Sequence, residues 1–219
     1  MGTFAATAES ASTIGYAQYG SSTWNTGTAN GASQGAYQNT SSSGSRVGVM
    51  VFSGAGAVLQ GKMITQITLR ITCSAAGSSG SNKVLSFRRA NYQTLQTGIT
   101  GSAQVGAALG TLTGTFYGNT VTHTLNASTN AALFSAMKTY LAGGNSALVL
   151  YNGETSTSSG YSTNYARVTS CTMTVTYLDA TVWYRNGTTW RECAVWYCLN
   201  GVWIQCVPWY RSGSTWIRV

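Results

Sequence analysis

The sequence predicts an all-β protein: a jelly-roll-like antiparallel β-sandwich with one short helix, followed by a small region of β-hairpin repeats. Short segments alternate apolar residues with threonine, which is typical of strands that bury one face. Turn-forming Gly, Ser and Asn separate these segments. A thirteen-residue pattern with two tryptophans then repeats three times at the C-terminus.

The composition limits the classes of partner. Charged residues make up 7% of the chain, against about 25% in typical soluble domains. Hydrophobic residues make up 43%, which is enough to build a core. The net charge is +8, but the basic residues are scattered along the sequence. A nucleic-acid interface normally clusters its basic residues, so we expect no nucleic-acid partner.

The first elements are a polar region and a strand. Residues 1–44 are rich in Ser, Thr, Gly, Asn and Gln, and they predict one edge strand near the start and a long surface loop. The segment "SRVGVMVF" then places Val47, Val49 and Val51 on one side, which predicts a strand.

Two longer segments predict the centre of the sandwich. "MITQITLRITC" and "SCTMTVTYL" each carry an apolar face and a threonine-rich face. We expect them to pair antiparallel, with Cys73 and Cys171 buried near each other. One register places Cys73 opposite Cys171 and Leu69 opposite Val175. Whether the two thiols are bonded stays open.

Four further strands and a helix lie between these segments. "KVLSF", "TLTGTFYG", "TVTHTLN" and "SALVLYNG" are the strands. "STNAALFSAMKTYLAGG" predicts a helix that covers one open end of the sandwich, with Ser128 or Thr129 as its N-cap and Gly143-Gly144 as its end. Its apolar positions have helical spacing: Leu133, Phe134, Met137, Tyr140 and Leu141.

The composition changes near Asp179, from Thr, Ser and Gly to Trp, Tyr, Cys and Arg. We therefore predict a sandwich domain over 1–178, including the long polar N-terminal region, and three hairpin repeats over 179–219. With Asn186-Gly187 as a turn, Trp183 lies opposite Trp190. Equivalent turns at 212–213 and a four-residue loop at 198–201 give the pairs Trp209 with Trp216 and Trp196 with Trp203.

The tryptophan face of the repeats is the candidate contact surface. Its residues are Trp183, Trp190, Trp196, Trp203, Trp209, Trp216, Arg185 and Arg211. Tryptophan rows beside arginines and amides suit stacking on sugars, and they equally suit contacts between subunits. A third interpretation is that the tryptophans only stabilise their own hairpins or an oligomer.

Residues for catalysis are scarce. The acids are Glu9, Glu154, Asp179 and Glu192, and nothing in the sequence brings any two of them together. The only histidine is His123, which alternates with apolar residues and is expected to be buried with its hydrogen bonds satisfied. We therefore expect no enzymatic activity and no cofactor.

Three motif matches lack the context that their chemistry requires. "GASQG" at 31–35 resembles a nucleophile elbow around Ser33, but it lies in a predicted polar loop. Gly56 to Lys62 has phosphate-loop spacing, but Met63 stands where a hydroxyl is needed. The tail cysteines lack the paired spacing of closed zinc sites, so we expect no metal.

The opening "MGTFAATAES" has neither a basic segment nor an apolar segment of a signal peptide. No apolar run is long enough for membrane insertion. We therefore expect a protein that is cytosolic or leaves the cell by a non-secretory route, such as assembly into a virus particle.

The run "SRVGVMVFSGAGAVLQGKMITQITLRITCSAAGSSGSNKVLSF" resembles the opening half of β-sandwich domains of the DNRLRE type. Phe52 ends the first strand, and Ile64, Leu69 and Ile71 follow the apolar pattern of the second, although Ile67 stands where that family has alanine. "THTLNASTNAALFSAMKTYLAGGNSALVLYNGE" and "CTMTVTY" resemble the later helix and strands, so the likeness covers about residues 45–178.

The tail resembles the C-terminal ends of tailed-bacteriophage virion proteins. Together the two resemblances imply a non-enzymatic virion component of a tail, fibre or capsid decoration. Its partners would be other virion proteins, further copies of the chain (a trimer is one option) and a host cell-surface glycan. The alternative is a carbohydrate-binding module of a secreted glycan-processing system.

Overall fold

The computed structural model is built mainly of antiparallel strands, as predicted. It describes residues 1–15, 24–27, 31–38, 43–75, 82–96, 101–154, 160–178, 182–186, 189–193, 195–199, 202–206, 209–212 and 215–218. The strands up to residue 178 are β1 (Gly2–Thr7), β2 (Glu9–Gly15), β3 (Trp24–Gly27), β4 (Ala32–Gln38), β5 (Ser43–Val51), β6 (Met63–Cys73), β7 (Lys83–Ala90), β8 (Val105–Gly114), β9 (Thr120–Leu125), β10 (Ala147–Leu150), β11 (Gly160–Tyr161) and β12 (Ala166–Leu178). The helices are α1 (Ala55–Leu59), α2 (Gly101–Gln104) and α3 (Ala131–Ala142).

Two antiparallel layers form the sandwich. One layer runs β8-β7-β10-β5, with β2 along the other edge of β5. The second layer consists of β1, β12, β6 and β9. Strand β4 joins the layers, because it pairs with β5 over one part of its length and with β12 over another. The strands thus nearly close into a barrel.

The main core lies between the layers and under α3. It is formed by buried residues of β6, β7, β12 and α3, including Ile67, Leu69, Phe87 and Met173. A smaller cluster lies on the other side of β5, where Val47, Val49 and Val51 pack with residues of β7 and β10. Strand β5 is therefore buried on both faces, whereas the sequence pattern predicted one.

The strands β6 and β12 are antiparallel neighbours, as predicted, and their cysteines are buried. Cys73 is 4% exposed and Cys171 is 2% exposed, and both thiols are free. The predicted register is wrong, however. Cys171 lies opposite Ile71, so the central part of the pairing is displaced by two residues from the predicted register. Irregularities at 168–170 and 176–177 shift the two ends by one residue more, which places Cys73 opposite Val168.

The N-terminal region differs from the predicted edge strand and surface loop. Its described residues contain β1 to β4, and residues 32–36 of β4 are buried. These residues are small, apart from Gln34, so β4 can pass through the junction of the layers with both faces covered. Because Ser33 lies within this strand and not at a strand-to-helix turn, the "GASQG" match is no nucleophile elbow.

Helix α3 buries the five apolar residues predicted from its spacing and ends at Gly143, as expected. Its predicted N-cap is wrong. Asn130 occupies that position in the left-handed region with φ 53°, and no side chain caps the helix. The side chain of Asn126 instead accepts hydrogen bonds from the amides of Ser128 and Thr129, which forms a turn ahead of the helix.

Beyond β12 the chain forms three separate two-stranded sheets. Their strands are β13 (Val182–Asn186) with β14 (Thr189–Cys193), β15 (Val195–Leu199) with β16 (Val202–Cys206), and β17 (Trp209–Ser212) with β18 (Thr215–Arg218). The prediction of three consecutive hairpins is confirmed. The domain boundary near Asp179 stays a prediction, since that residue lies outside the described part of the chain.

Candidate functional site

The three hairpins share one register, which makes the thirteen-residue sequence repeat a structural repeat. The first tryptophan of each repeat lies opposite Glu192, Gln205 or Arg218. The second tryptophan lies opposite Arg185, Cys198 or Arg211. Each hairpin therefore presents the same arrangement of positions, with an arginine beside a tryptophan in the first and third.

The predicted direct tryptophan pairs are wrong. In the first hairpin Trp183 is paired with Glu192, and Trp190 with Arg185, so the two tryptophans occupy diagonal positions on one face. Diagonal neighbours lie about 7–8 Å apart, within reach of aromatic side chains. The same displacement holds for Trp196 with Trp203 and for Trp209 with Trp216.

The correction follows from the turn position. The last paired residues are Asn186 with Thr189, Leu199 with Val202, and Ser212 with Thr215, so two residues separate the strands each time. The connecting dipeptides are Gly-Thr, Asn-Gly and Gly-Ser. Asn-Gly suits a type I′ turn and a leading glycine suits type II′. The second repeat therefore needs no four-residue loop.

A second candidate site is a buried polar cluster between β4, β7 and the start of β12. We use this name for two buried residues, Gln34 and Lys83, together with three partly buried ones, Glu154, Ser162 and Asn164. The Lys83 side chain points inward at the start of β7 and is 1% exposed. Its Nζ donates a hydrogen bond of 2.6 Å to the carbonyl oxygen of Thr163.

Glu154 anchors the segment that carries Thr163. Its carboxylate accepts hydrogen bonds from the Ser162 hydroxyl and from the backbone amide of Asn164. The Asn164 side-chain amide donates a further bond of 2.8 Å to Glu154 Oε1. Glu154 thus holds Ser162 and Asn164 in place. Asp179 lies outside the described residues.

The surroundings of Lys83 are tightly packed. Cys73, Phe116, Tyr117 and Tyr165 line the pocket beside it, and this pocket leaves no space that a water molecule could occupy. Burial lowers the pKa of Lys83, and the negative charge of Glu154 opposes that shift. The Lys83 side chain is therefore enclosed by protein groups.

The two buried thiols make stability sensitive to alkaline pH. Burial raises the pKa of Cys73 to about 12, and burial together with the nearby Cys73 raises that of Cys171 to about 12. Between the unfolded pKa of about 8.5 and this value, the folded state holds protons that the unfolded state releases. The contribution of the thiols is therefore complete below about pH 8.5 and is lost as the pH rises further.

We predict that replacing both cysteines by alanine flattens this loss. Each thiol contributes about 1.4 kcal/mol per pH unit above pH 9, so the wild-type unfolding free energy should fall more steeply than that of Cys73→Ala/Cys171→Ala by about 2–3 kcal/mol per unit. Urea unfolding of both proteins at pH 8, 9 and 10 measures the difference. The contributions of the other titrating groups cancel in the difference between the two slopes, because wild type and variant both contain those groups. Parallel slopes would contradict the prediction.

His123 faces inward but differs from the expected satisfied histidine. Its ring lies 5.6 Å from that of Phe116, and its buried Nε2 has no hydrogen-bond partner. Burial lowers its pKa, which favours the neutral ring. The residue is half-buried.

Among the described residues, no group of three or more His, Cys, Asp or Glu is placed to hold a metal ion. In the same part of the chain, no helix is long and apolar enough to cross a membrane. Comparison with known proteins gave no match to any family model and no curated relative.

Gln34, Lys83 and Asn164 were not predicted from the sequence as site residues. One signal was available for Lys83. It occupies an inward position of "KVLSF", in phase with Leu85 and Phe87, and a lysine at such a position requires a polar partner inside the protein. No pattern in the sequence pointed to Asn164 as part of that site.

Proposed function

We propose that the chain is a non-enzymatic structural protein of a bacteriophage virion, a component of a tail, a fibre or the capsid decoration. In this proposal the sandwich is the stable body, and the tail hairpins join the chain to further copies of itself. The sequence resemblances to DNRLRE-type domains and to phage virion tails support this function. The virion would be its location, and other virion proteins its neighbours.

One observation carries the proposal: the tail consists of three hairpins, each a two-stranded sheet by itself. An isolated two-stranded hairpin is marginally stable in water. Three such hairpins with a shared register and two tryptophans each therefore need a further surface to cover them. Matching hairpins of sister subunits supply such a surface, because identical repeats can pack on one another in a symmetric oligomer.

The acids support a role without catalysis. Glu154 is bound by Ser162 and Asn164, and Glu9 lies at the surface, where it accepts a hydrogen bond from Ser53. The side chains of the other two acids, Asp179 and Glu192, lie outside the described part of the chain.

Glycan recognition is the second candidate, and the register of the tail favours it. Arg185 lies opposite Trp190 and Arg211 opposite Trp216, so arginines stand beside tryptophans at two equivalent places. Aromatic faces with neighbouring hydrogen-bond donors suit sugar rings. In this alternative the chain is a carbohydrate-binding module, or a virion protein that contacts host surface glycans.

The double variant Trp196→Ala/Trp203→Ala separates the two functions. We expect it to lower the mass of the oligomer in sedimentation or light scattering, because it removes both tryptophans of the middle hairpin. The matched control is Gln205→Ala, which changes the residue opposite Trp196 and should leave the mass unchanged. An unchanged oligomer that no longer binds cells or a glycan array would favour the alternative. If the oligomer mass and the binding of cells or glycans are both unchanged, the tryptophans only stabilise their own hairpins.

A further inference from the structure

Lys83 and Asn164 are joined through each other's neighbours. Lys83 Nζ lies 2.6 Å from the carbonyl oxygen of Thr163, the residue before Asn164. In return, Asn164 Oδ1 accepts a hydrogen bond of 3.0 Å from the backbone amide of Val84, the residue after Lys83. Each of the two residues is thus bonded to the chain neighbour of the other, where β7 meets the segment before β12.

Glu154 completes the arrangement. Its Oε1 lies 2.8 Å from Asn164 Nδ2, and its charge acts on Lys83. The Lys83 side chain is 1% exposed, and the packing beside it has no space for a water molecule. A buried lysine amine, with an asparagine amide and a carboxylate in the same cluster, supplies the groups needed to make an amide bond between two side chains.

We propose that Lys83 and Asn164 form an intramolecular isopeptide bond, with Glu154 as the group that transfers the protons. The proposal does not depend on the function of the chain. It is a self-modification of the sandwich, and it uses Lys83, Glu154 and Asn164, residues that a purely packed β-domain does not require.

The reaction balances without any external reagent. The Lys83 ammonium gives a proton to Glu154, and the free Nζ electron pair attacks Cγ of Asn164. The negative charge that develops on Oδ1 is stabilised by the Val84 amide that already donates to it. A second proton leaves Nζ, the Cγ–Nδ2 bond breaks, and Nδ2 departs with both protons as ammonium. The Glu154 carboxylate is regenerated, and no group is oxidised or reduced.

Two features favour the reaction: the lowered pKa of the Lys83 amine and the contacts that position Lys83 and Asn164. Burial lowers the pKa of Lys83, which raises the fraction of neutral amine, although the Glu154 charge acts in the opposite direction. The fixed contacts of Lys83 with Thr163 and of Asn164 with Val84 hold the reactants in place, so little orientational freedom is lost on reaction.

The test is the intact mass of the full chain under denaturing and reducing conditions. We expect a mass lower than the sequence mass by one ammonia molecule, and a branched peptide that links Lys83 to Asn164 after proteolysis. Lys83→Met and Asn164→Ala should both restore the sequence mass. Wild-type protein at the full sequence mass would overturn the proposal. This measurement is made on the unaltered chain, so it does not depend on whether any variant folds.

Two controls keep the result specific. Asn-Gly pairs, such as Asn152-Gly153, also lose ammonia when they cyclise, so an ammonia loss that maps to them without a branched peptide overturns the proposal as well. Glu154→Ala should abolish the bond in chains that still fold, as judged by circular dichroism. A bond that forms at the wild-type rate in Glu154→Ala would overturn the assigned role of Glu154.

Discussion

Replacing Gln34 with leucine should lower the free energy of unfolding by about 3–6 kcal/mol. Gln34 is completely buried, and its side chain makes three hydrogen bonds that hold neighbouring segments together. Nε2 donates to the carbonyl oxygens of Val84 and Asn164, at 2.7 and 3.0 Å, and Oε1 accepts from the amide of Ser86 at 2.8 Å. Leucine fills a similar volume but leaves these three backbone groups without the Gln34 partner, at a cost of about 1–2 kcal/mol each.

The matched control is Gln96→Leu. The Gln96 side chain bonds to Thr94, two residues away, and it links no distant segments in these contacts. Its replacement should change the unfolding free energy by no more than about 0.5 kcal/mol. Urea unfolding, with the midpoint and the slope measured separately, compares the two variants. Equal midpoints for both would show that β4 does not depend on the Gln34 bonds.

Gly48→Ala should cost about 3 kcal/mol of unfolding free energy. A Cβ at position 48 of β5 would lie 2.5 Å from the nitrogen of Ser33 and 2.7 Å from the carbonyl carbon of Ala32. Both atoms belong to the backbone of β4, so no side chain can rotate away to relieve the contact. The strands β4 and β5 would have to separate where the two layers join.

Gly153→Ala is the control for this variant. Gly153 has φ +73°, which disfavours alanine, but a Cβ there would meet nothing within 4 Å. Gly153→Ala should therefore lower the free energy of unfolding by only about 1 kcal/mol, because alanine is disfavoured in this backbone conformation. Thermal unfolding of both variants separates crowding from backbone strain. A Gly48→Ala protein as stable as Gly153→Ala would contradict the close approach of β4 to β5.

Alternation of apolar residues with threonine was sufficient to predict β6 and β12 as antiparallel partners, since each buries one face. Their register was not predictable, because a displacement by two residues leaves every side chain on the same face, and alternation therefore does not distinguish the two pairings. Strand β4 was missed for another reason. Its buried residues are small or polar, a composition that does not by itself predict a buried strand. They are buried because β4 lies at the junction of the two layers, where both of its faces are covered.

The tail shows how far a repeat alone can predict a site. The thirteen-residue period established three hairpins, but a period does not determine where each turn falls. Placing the turn at Asn186-Gly187 shifted the register and made Trp183 face Trp190, whereas the structure pairs Trp190 with Arg185. The buried polar cluster was hidden for a simpler reason: Lys83 and Asn164 are distant in sequence, and only the fold brings them together.

We propose that the sandwich is the stable body of the protein and that the tail joins copies of the chain to one another. The most direct test is the mass in solution of the full chain and of a chain that ends at Leu178, measured at equal concentration by sedimentation. We predict an oligomer for the full chain and a monomer for the shortened one, with the same cooperative thermal unfolding of the sandwich in both. Equal masses for the two proteins would contradict the claim.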